Sequence, residues 1–243
     1  MKHLKTFMSV LAILAVVSCG KSQSTGEGQV SFGISSNDNI ADVTRSNVSD
    51  YTVLPASGDF IISIKDKSGK LVWDGKVTDW DPTTPILAGN YSVTAEYGDI
   101  EEEGFNKPYF TGTTEFAIKG DEVKTVSIPV SLGNTIVKIS CTQDFKNYYK
   151  SYSFKLTRNR ADVVDFASDE SKAAFIDGYT ITLEGALESE TRSSSFTKTY
   201  DGLDPATAYT FVFDIDNIGG ASIVISFNDK TELVTLDDVE LND

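Results

Sequence analysis

Histidine occurs once in these 243 residues, at His3, and cysteine twice, at Cys19 and Cys141. His3 lies in a segment read below as cleaved, so the mature chain lacks the usual general base, the Ser-His-Asp and Cys-His arrangements and most zinc sites. Cys19 is claimed by a separate role, which leaves Cys141 without an intramolecular partner, so no disulfide framework is available. Basic residues are also scarce, 21 against 36 acidic ones, and a surface of that sign repels nucleic acid and anionic head groups. No glycine-rich loop has the spacing that cradles phosphate. The uncharged run Thr6 to Val17 is too short to span a bilayer. The chain therefore offers little to the common enzyme classes, and neither a cofactor nor a metal is expected.

The N-terminus, by contrast, is specific. Lys2 and Lys5 precede the uncharged run and are followed by Ser18 and Cys19, the order of a secretory signal. Val16-Val17-Ser18-Cys19 places an apolar and a small residue before a thiol, as a lipoprotein peptidase requires. Residues 1–18 are accordingly expected to be a signal peptide, with Cys19 carrying the lipid, palmitate included. A plain signal peptide would leave Cys19 as a free exposed thiol, reactive in the oxidising environment outside the cytoplasm. The small, polar residues 19–27 read as a lipidated flexible tether. Loss of Lys2 and Lys5 from the 21 basic residues leaves 19 against 36 acidic ones in the mature chain.

Past the tether, alternation with period two dominates, which predicts an all-β protein. Strands are expected at Gly28 to Ser35, Asp59 to Lys65, Lys70 to Asp74, around Tyr91 to Tyr97, Thr113 to Lys119 and Val123 to Leu132. The turn at Asp66-Lys67-Ser68-Gly69 puts glycine where a positive φ is wanted. The Gly133-Asn134 turn then divides the chain into a first β-sandwich, 28–132, and a second, 133–243. In the second, strands are expected at Thr135 to Cys141, Ser151 to Thr157, Tyr179 to Leu187, Ser193 to Tyr200, Ala208 to Ile215, Ala221 to Phe227 and Thr231 to Val239. Gln143 to Lys150 is the best helix candidate, and Ala161 to Asp177 fits no single state. Leu203-Asp204-Pro205-Ala206-Thr207-Ala208-Tyr209 has the form of a turn in which a tyrosine hydroxyl pins a sandwich corner. Cys141 shares a strand face with Val137 and Ile139, which predicts a buried, inert thiol.

Leu87-Ala88-Gly89-Asn90-Tyr91-Ser92-Val93, Asn106-Lys107-Pro108-Tyr109-Phe110-Thr111-Gly112, and Gly133-Asn134-Thr135-Ile136-Val137-Lys138 with Phe145-Lys146-Asn147-Tyr148-Tyr149 resemble the landmarks of a family of Bacteroidales-type lipoproteins. That family is described as a domain of unknown function and is fimbrillin-like in architecture. The resemblance implies two tandem β-sandwiches of Ig-like or transthyretin-like type and an outer-membrane location, lipid-anchored at the cell surface or the periplasmic face. It also implies adhesion or service as a pilus subunit or anchor, and brings no catalytic residue. Gly20-Lys21-Ser22-Gln23 lacks the acidic run of a surface-export signal in such bacteria, which leaves the face open.

Candidate sites follow from residue types. Arg45 is the one basic residue in the polar stretch Asn37 to Pro55, a natural protease target between two strands. In fimbrillins an arginine-specific cut removes the leader with its first strand, and the resemblance implies a cut between Arg45 and Ser46, with another subunit's strand filling the vacancy. Trp80, between Asp79 and Asp81, is the aromatic expected to be exposed and could stack on a surface glycan, with Trp73, Tyr109 and Phe110 as weaker candidates. The pairs Asp79/Asp81 and Asp214/Asp216, the latter before Asn217, could serve glycoside hydrolysis or a hard cation, but solvated loop charge is the simpler reading. Glu101-Glu102-Glu103 likewise reads as a solvated loop tip. Expected partners are the membrane through the N-terminal lipid and other pilus subunits or a surface glycan, with no nucleic acid.

Overall fold

The computed structural model describes residues 26–39, 47–158, 163–215, 222–227 and 230–235. The fold is nearly all β. The earlier strands are β1 (Glu27–Ser36), β2 (Ile61–Asp66), β3 (Leu71–Lys76), β4 (Ile86–Leu87), β5 (Gly89–Tyr97), β6 (Gly104–Phe105), β7 (Phe110–Ile118) and β8 (Val123–Leu132). The later elements are β9 (Thr135–Cys141), helix α1 (Gln143–Tyr148), β10 (Ser151–Thr157), β11 (Val163–Phe166), β12 (Ala174–Ile176), β13 (Thr180–Glu188), β14 (Ser193–Asp201), β15 (Ala208–Ile215), β16 (Ser222–Phe227) and β17 (Lys230–Thr235).

Seven earlier strands form one sheet in the order β3-β2-β5-β7-β8-β1-β4. Strands β7 and β8 pair only at Phe110↔Leu132 and Thr111↔Ser131, so the sheet folds over at that corner. Gly112 allows the crossing, because a Cβ there would sit 2.0 Å from the carbonyl oxygen of Pro129. The two layers enclose Val30, Phe60, Ile62, Ile64, Val93, Phe116, Val126, Ile128 and Val130, all buried. Inward positions recur every second residue, as the pleat dictates. Each fully buried Ile or Phe contributes about 1.5–3 kcal/mol relative to exposure. In the β2–β3 turn Gly69 has φ +82°, the left-handed conformation expected there.

The later strands form a four-stranded sheet, β11-β10-β13-β14, and a six-stranded one, β17-β16-β15-β9-β12-β6. Their shared core holds Val137, Phe145, Phe154, Phe166, Phe211 and Phe213. Helix α1 starts where Thr142 Oγ1 accepts the Phe145 amide at 3.2 Å, and its Phe145 plugs that core. Tyr209 closes the expected corner, its hydroxyl accepting the Asp204 amide at 3.0 Å. The stretch that fits no single state holds β11 and β12, strands too short to show a period.

The two cores meet at β9. Ile136 belongs to the first and its neighbour Val137 to the second, so successive side chains of one strand enter both. Strand β6, which precedes the Gly133-Asn134 turn, pairs with β12 among the later strands through Gly104↔Phe175 and Phe105↔Ala174.

Candidate functional site

The first strand and its surroundings form the most distinctive site. Strand β1 runs parallel to β8 from Gln29↔Val123 to Ser36↔Val130. On its other flank, among the described residues, it meets a strand only at Glu27↔Leu87 and Gly28↔Ile86. Beyond Gly28 that flank is covered by Trp80, whose indole Nε1 donates to the Val30 carbonyl oxygen at 2.8 Å. Val30 is fully buried, and Phe32 meets Trp80 and Phe116 edge-on at centroid distances of 5.5 and 5.8 Å. The strand thus fills an apolar slot while closing the hydrogen-bonding edge of β8.

Just after β1, residues 38 and 39 are tied to residues 47–49. Asn39 and Asn47 form an isolated antiparallel bridge. Asp38 accepts the Ser49 amide at 2.8 Å and the Ser49 hydroxyl at 2.7 Å, and the Val48 amide donates to the Asp38 carbonyl. Residues 40–46, with Arg45 and Ser46, lie outside the described residues, as does Cys19.

Trp80 requires a correction. It was expected to be exposed between two aspartates, yet it is only 8% exposed, packed edge-on to Trp73 at 5.2 Å, with its N–H committed to Val30. The 3-10 turn Val77–Asp79 swings the ring inward while its acidic neighbours stay outside. No face of Trp80 is free to stack on a glycan. Phe110 is buried as well, and half-buried Tyr109 donates its hydroxyl to Glu96 at 2.6 Å.

The carboxylates separate into two kinds. Asp81 accepts the amide and hydroxyl of Thr83 at 2.9 and 2.7 Å; these bonds lower its pKa and build a local turn. Asp79 contacts the hydroxyl of Thr78, and Asp214 accepts the Thr142 hydroxyl at 2.7 Å; Asp216 and Asn217 lie outside the described residues. Glu103 departs from the solvated reading of its triplet. Its side chain is 1% exposed and pairs with Arg158 Nε at 3.0 Å, while the Asp177 amide donates to the same oxygen at 2.7 Å. Arg158 Nη1 reaches Asp177 Oδ2 at 2.9 Å. Glu103, just before β6, is therefore tied to residues following β10 and β12. Nothing in the local pattern Glu101-Glu102-Glu103 separates the buried member from its exposed neighbours.

Cys141 is half-buried, and burial pushes its thiol up to about 12. It lines a cavity of about 210 Å³ with Lys146, Tyr152 and Asp169. Asp169 accepts from Lys146 at 3.1 Å and from the Tyr152 hydroxyl at 3.2 Å, and the Lys146 ammonium holds its carboxyl below the usual range. A thiol so protonated is a poor nucleophile. No helix among the described residues is long and apolar enough to cross a membrane.

A model of a domain of unknown function, DUF4493, matches residues 26–243. The chain belongs to this family. No curated protein sequence matches it. Among solved structures, it is similar to a fimbrial assembly protein from Parabacteroides distasonis, 11% identical, with 88% of this chain and 99% of that one covered and a TM-score of 0.47. It is likewise similar to a provisionally described adhesin from Bacteroides thetaiotaomicron, 11% identical over 88% of this chain and 98% of that one, TM-score 0.47. A provisionally described polysaccharide-binding protein of the same species is 12% identical over 86% and 98%, TM-score 0.46. At these identities and scores the likenesses assign no role to this DUF4493 chain.

Proposed function

We propose that this DUF4493 protein is a non-enzymatic lipoprotein of the cell envelope, tethered by lipid on Cys19, that acts in adhesion or as a fimbrial subunit or anchor with an exchangeable first strand. The observation that carries the reading is the setting of β1, which is paired along one flank, lies over an apolar slot and precedes the stretch that contains Arg45. Cleavage after Arg45 would make β1 part of a separate peptide, Cys19 to Arg45. Its departure would expose the unpaired amides and carbonyls of β8 beside Trp80, Phe116 and Ile128. A strand from a second copy, apolar at alternate positions, would satisfy both the backbone and the slot.

The test is limited proteolysis of the mature chain with an arginine-specific protease, followed by size analysis. The expected result is a cut between Arg45 and Ser46, retention of the leader peptide until mild denaturant is added, and then oligomers held by strand exchange. Resistance of that bond, or a cut chain that stays monomeric after loss of its leader, would overturn the exchange model.

A further inference from the structure

The end of the first sandwich where the chain enters it has an unusual surface. The β2–β3 turn, the start of β5, the β7–β8 turn and the start of β1 all lie there, as the pairs Asp66↔Tyr91, Gly89↔Ile118 and Gln29↔Val123 require. Four of the seven large apolar side chains exposed among the described residues gather at this end: Leu71 (53% exposed), Val72 (43%), Leu87 (66%) and Val123 (79%). Lys67, Lys70 and Lys119 are exposed around them, and Lys124 bonds the Ala117 carbonyl. With Lys65 and Glu115, five lysines at this end balance five acids, the others being Glu27, Asp66, Asp121 and Glu122, whereas the whole chain has 21 basic residues against 36 acidic ones. This end escapes the repulsion from anionic head groups that the rest of the surface meets.

The exit of the tether is fixed at the same place. The Ala88 amide donates to Gly26 O and the Asp121 amide to Glu27 O, both at 2.8 Å, which holds the strand's start between Leu87-Ala88 and the β7–β8 turn. Gly28 is tightly enclosed, for a Cβ there would lie 2.6 Å from the carbonyl oxygen of Lys119. Seven residue steps separate Gly26 from Cys19, a reach of at most about 25 Å. A flexible chain of that length averages roughly 15 Å. Lipid on Cys19 would hold this end, and no other, against the bilayer. Strand β8 leads away from it to the Gly133-Asn134 turn and the second sandwich.

We propose that this end is a membrane-resting face, with Leu71, Val72, Leu87 and Val123 entering the headgroup region of a phospholipid bilayer and the surrounding lysines meeting its phosphates. The inference rests on the Cys19 tether proposed above. Apolar side chains ringed by lysines suit an interface whose depth runs from hydrocarbon to charge. Docking of this end directs the second sandwich outward, and the short tether keeps the face at high effective concentration, so a weak contact suffices.

The test couples Cys19 of the purified mature chain to maleimide-bearing vesicles of phosphatidylethanolamine and phosphatidylglycerol; protonated Cys141 reacts slowly. Acetylation rates of individual lysines are then compared with those of the uncoupled chain. Lys67, Lys70 and Lys119 should slow about fivefold on coupling, corresponding to a docked fraction of about four-fifths. Lys150, Lys155 and Lys172, in the second half, should not change. Combining Leu71→Ser, Leu87→Ser and Val123→Ser, all at exposed positions, should restore the uncoupled rates. Equal slowing in both groups of lysines, no slowing, or undiminished protection in the serine variant would overturn the proposal. Chemical coupling makes this outcome independent of acylation in the cell, so absence of lipid on the native protein would remove the tether reading by a separate measurement.

Discussion

Arg158 carries a buried ion pair whose loss the structure makes costly. Its guanidinium is the countercharge of Glu103, whose side chain is 1% exposed, and it also binds Asp177. Arg158→Met would leave the Glu103 carboxylate in a site with almost no water. Removing one partner of a buried pair costs about 3–5 kcal/mol, and the 19% exposure of Arg158 places the expectation near the lower bound, about 3 kcal/mol. For a chain of this length that corresponds to a fall in Tm of about 6–12 °C. Urea unfolding followed both by tryptophan emission, which reports the first core through Trp73 and Trp80, and by far-ultraviolet circular dichroism would register it. Adding Glu103→Leu should recover much of the loss, because no buried charge then remains unpaired. The loss should also persist in high salt, unlike any effect of breaking the exposed Lys107–Glu102 pair. A cost below about 1 kcal/mol for Arg158→Met, or a double variant as unstable as the sum of the singles, would refute the reasoning.

Trp80→Ala should destabilise the first sandwich by about 3–5 kcal/mol, since it opens a cavity and orphans the Val30 carbonyl; thermal unfolding checks this, and an unchanged Tm would contradict it. Cys141 should react very slowly with iodoacetamide at pH 8, where a pKa of about 12 leaves a thiolate fraction on the order of 10⁻⁴, and rapidly once urea exposes it. Lys146→Met should lower stability slightly above pH 5. The depressed Asp169 pKa adds stability that is fully present above the unfolded value and lost as pH falls through the folded one, so the difference should begin to shrink near about pH 4 and disappear only at lower pH. Urea midpoints of the two proteins across pH 3–7 would show it.

Much of the fold was legible because its causes are local. The alternation of Val126, Ile128, Val130 and Leu132 states a one-sided strand, and all four are buried. The Asp66-Lys67-Ser68-Gly69 turn and the Pro205–Tyr209 corner carry their own chemistry, and both formed as expected. Short strands such as β4, β6, β11 and β12 were illegible, being too brief for a period and held by partners distant in sequence. The parallel pairing of β1 with β8 was hidden for the same reason, since periodicity reports which face is apolar and not which strand lies beside it.

The candidate site was legible only in part. Polar flanks suggested an exposed Trp80, but the Val30 carbonyl that draws its indole inward lies fifty residues earlier. Three consecutive glutamates look alike until Arg158 arrives beside one of them. Lipid attachment at Cys19, expected from residue order, and cleavage after Arg45, implied by the family resemblance, are proposals about processing at positions outside the described residues.

The central claim is that β1 is a removable strand, and N-terminal mass mapping tests it most directly, on native protein from outer membranes and from sheared surface filaments. The account predicts acylated Cys19 at the start of the membrane-bound species and Ser46 at the start of the filament species. Protein beginning at acylated Cys19 in every fraction would contradict strand exchange and leave a tethered, uncut adhesion protein.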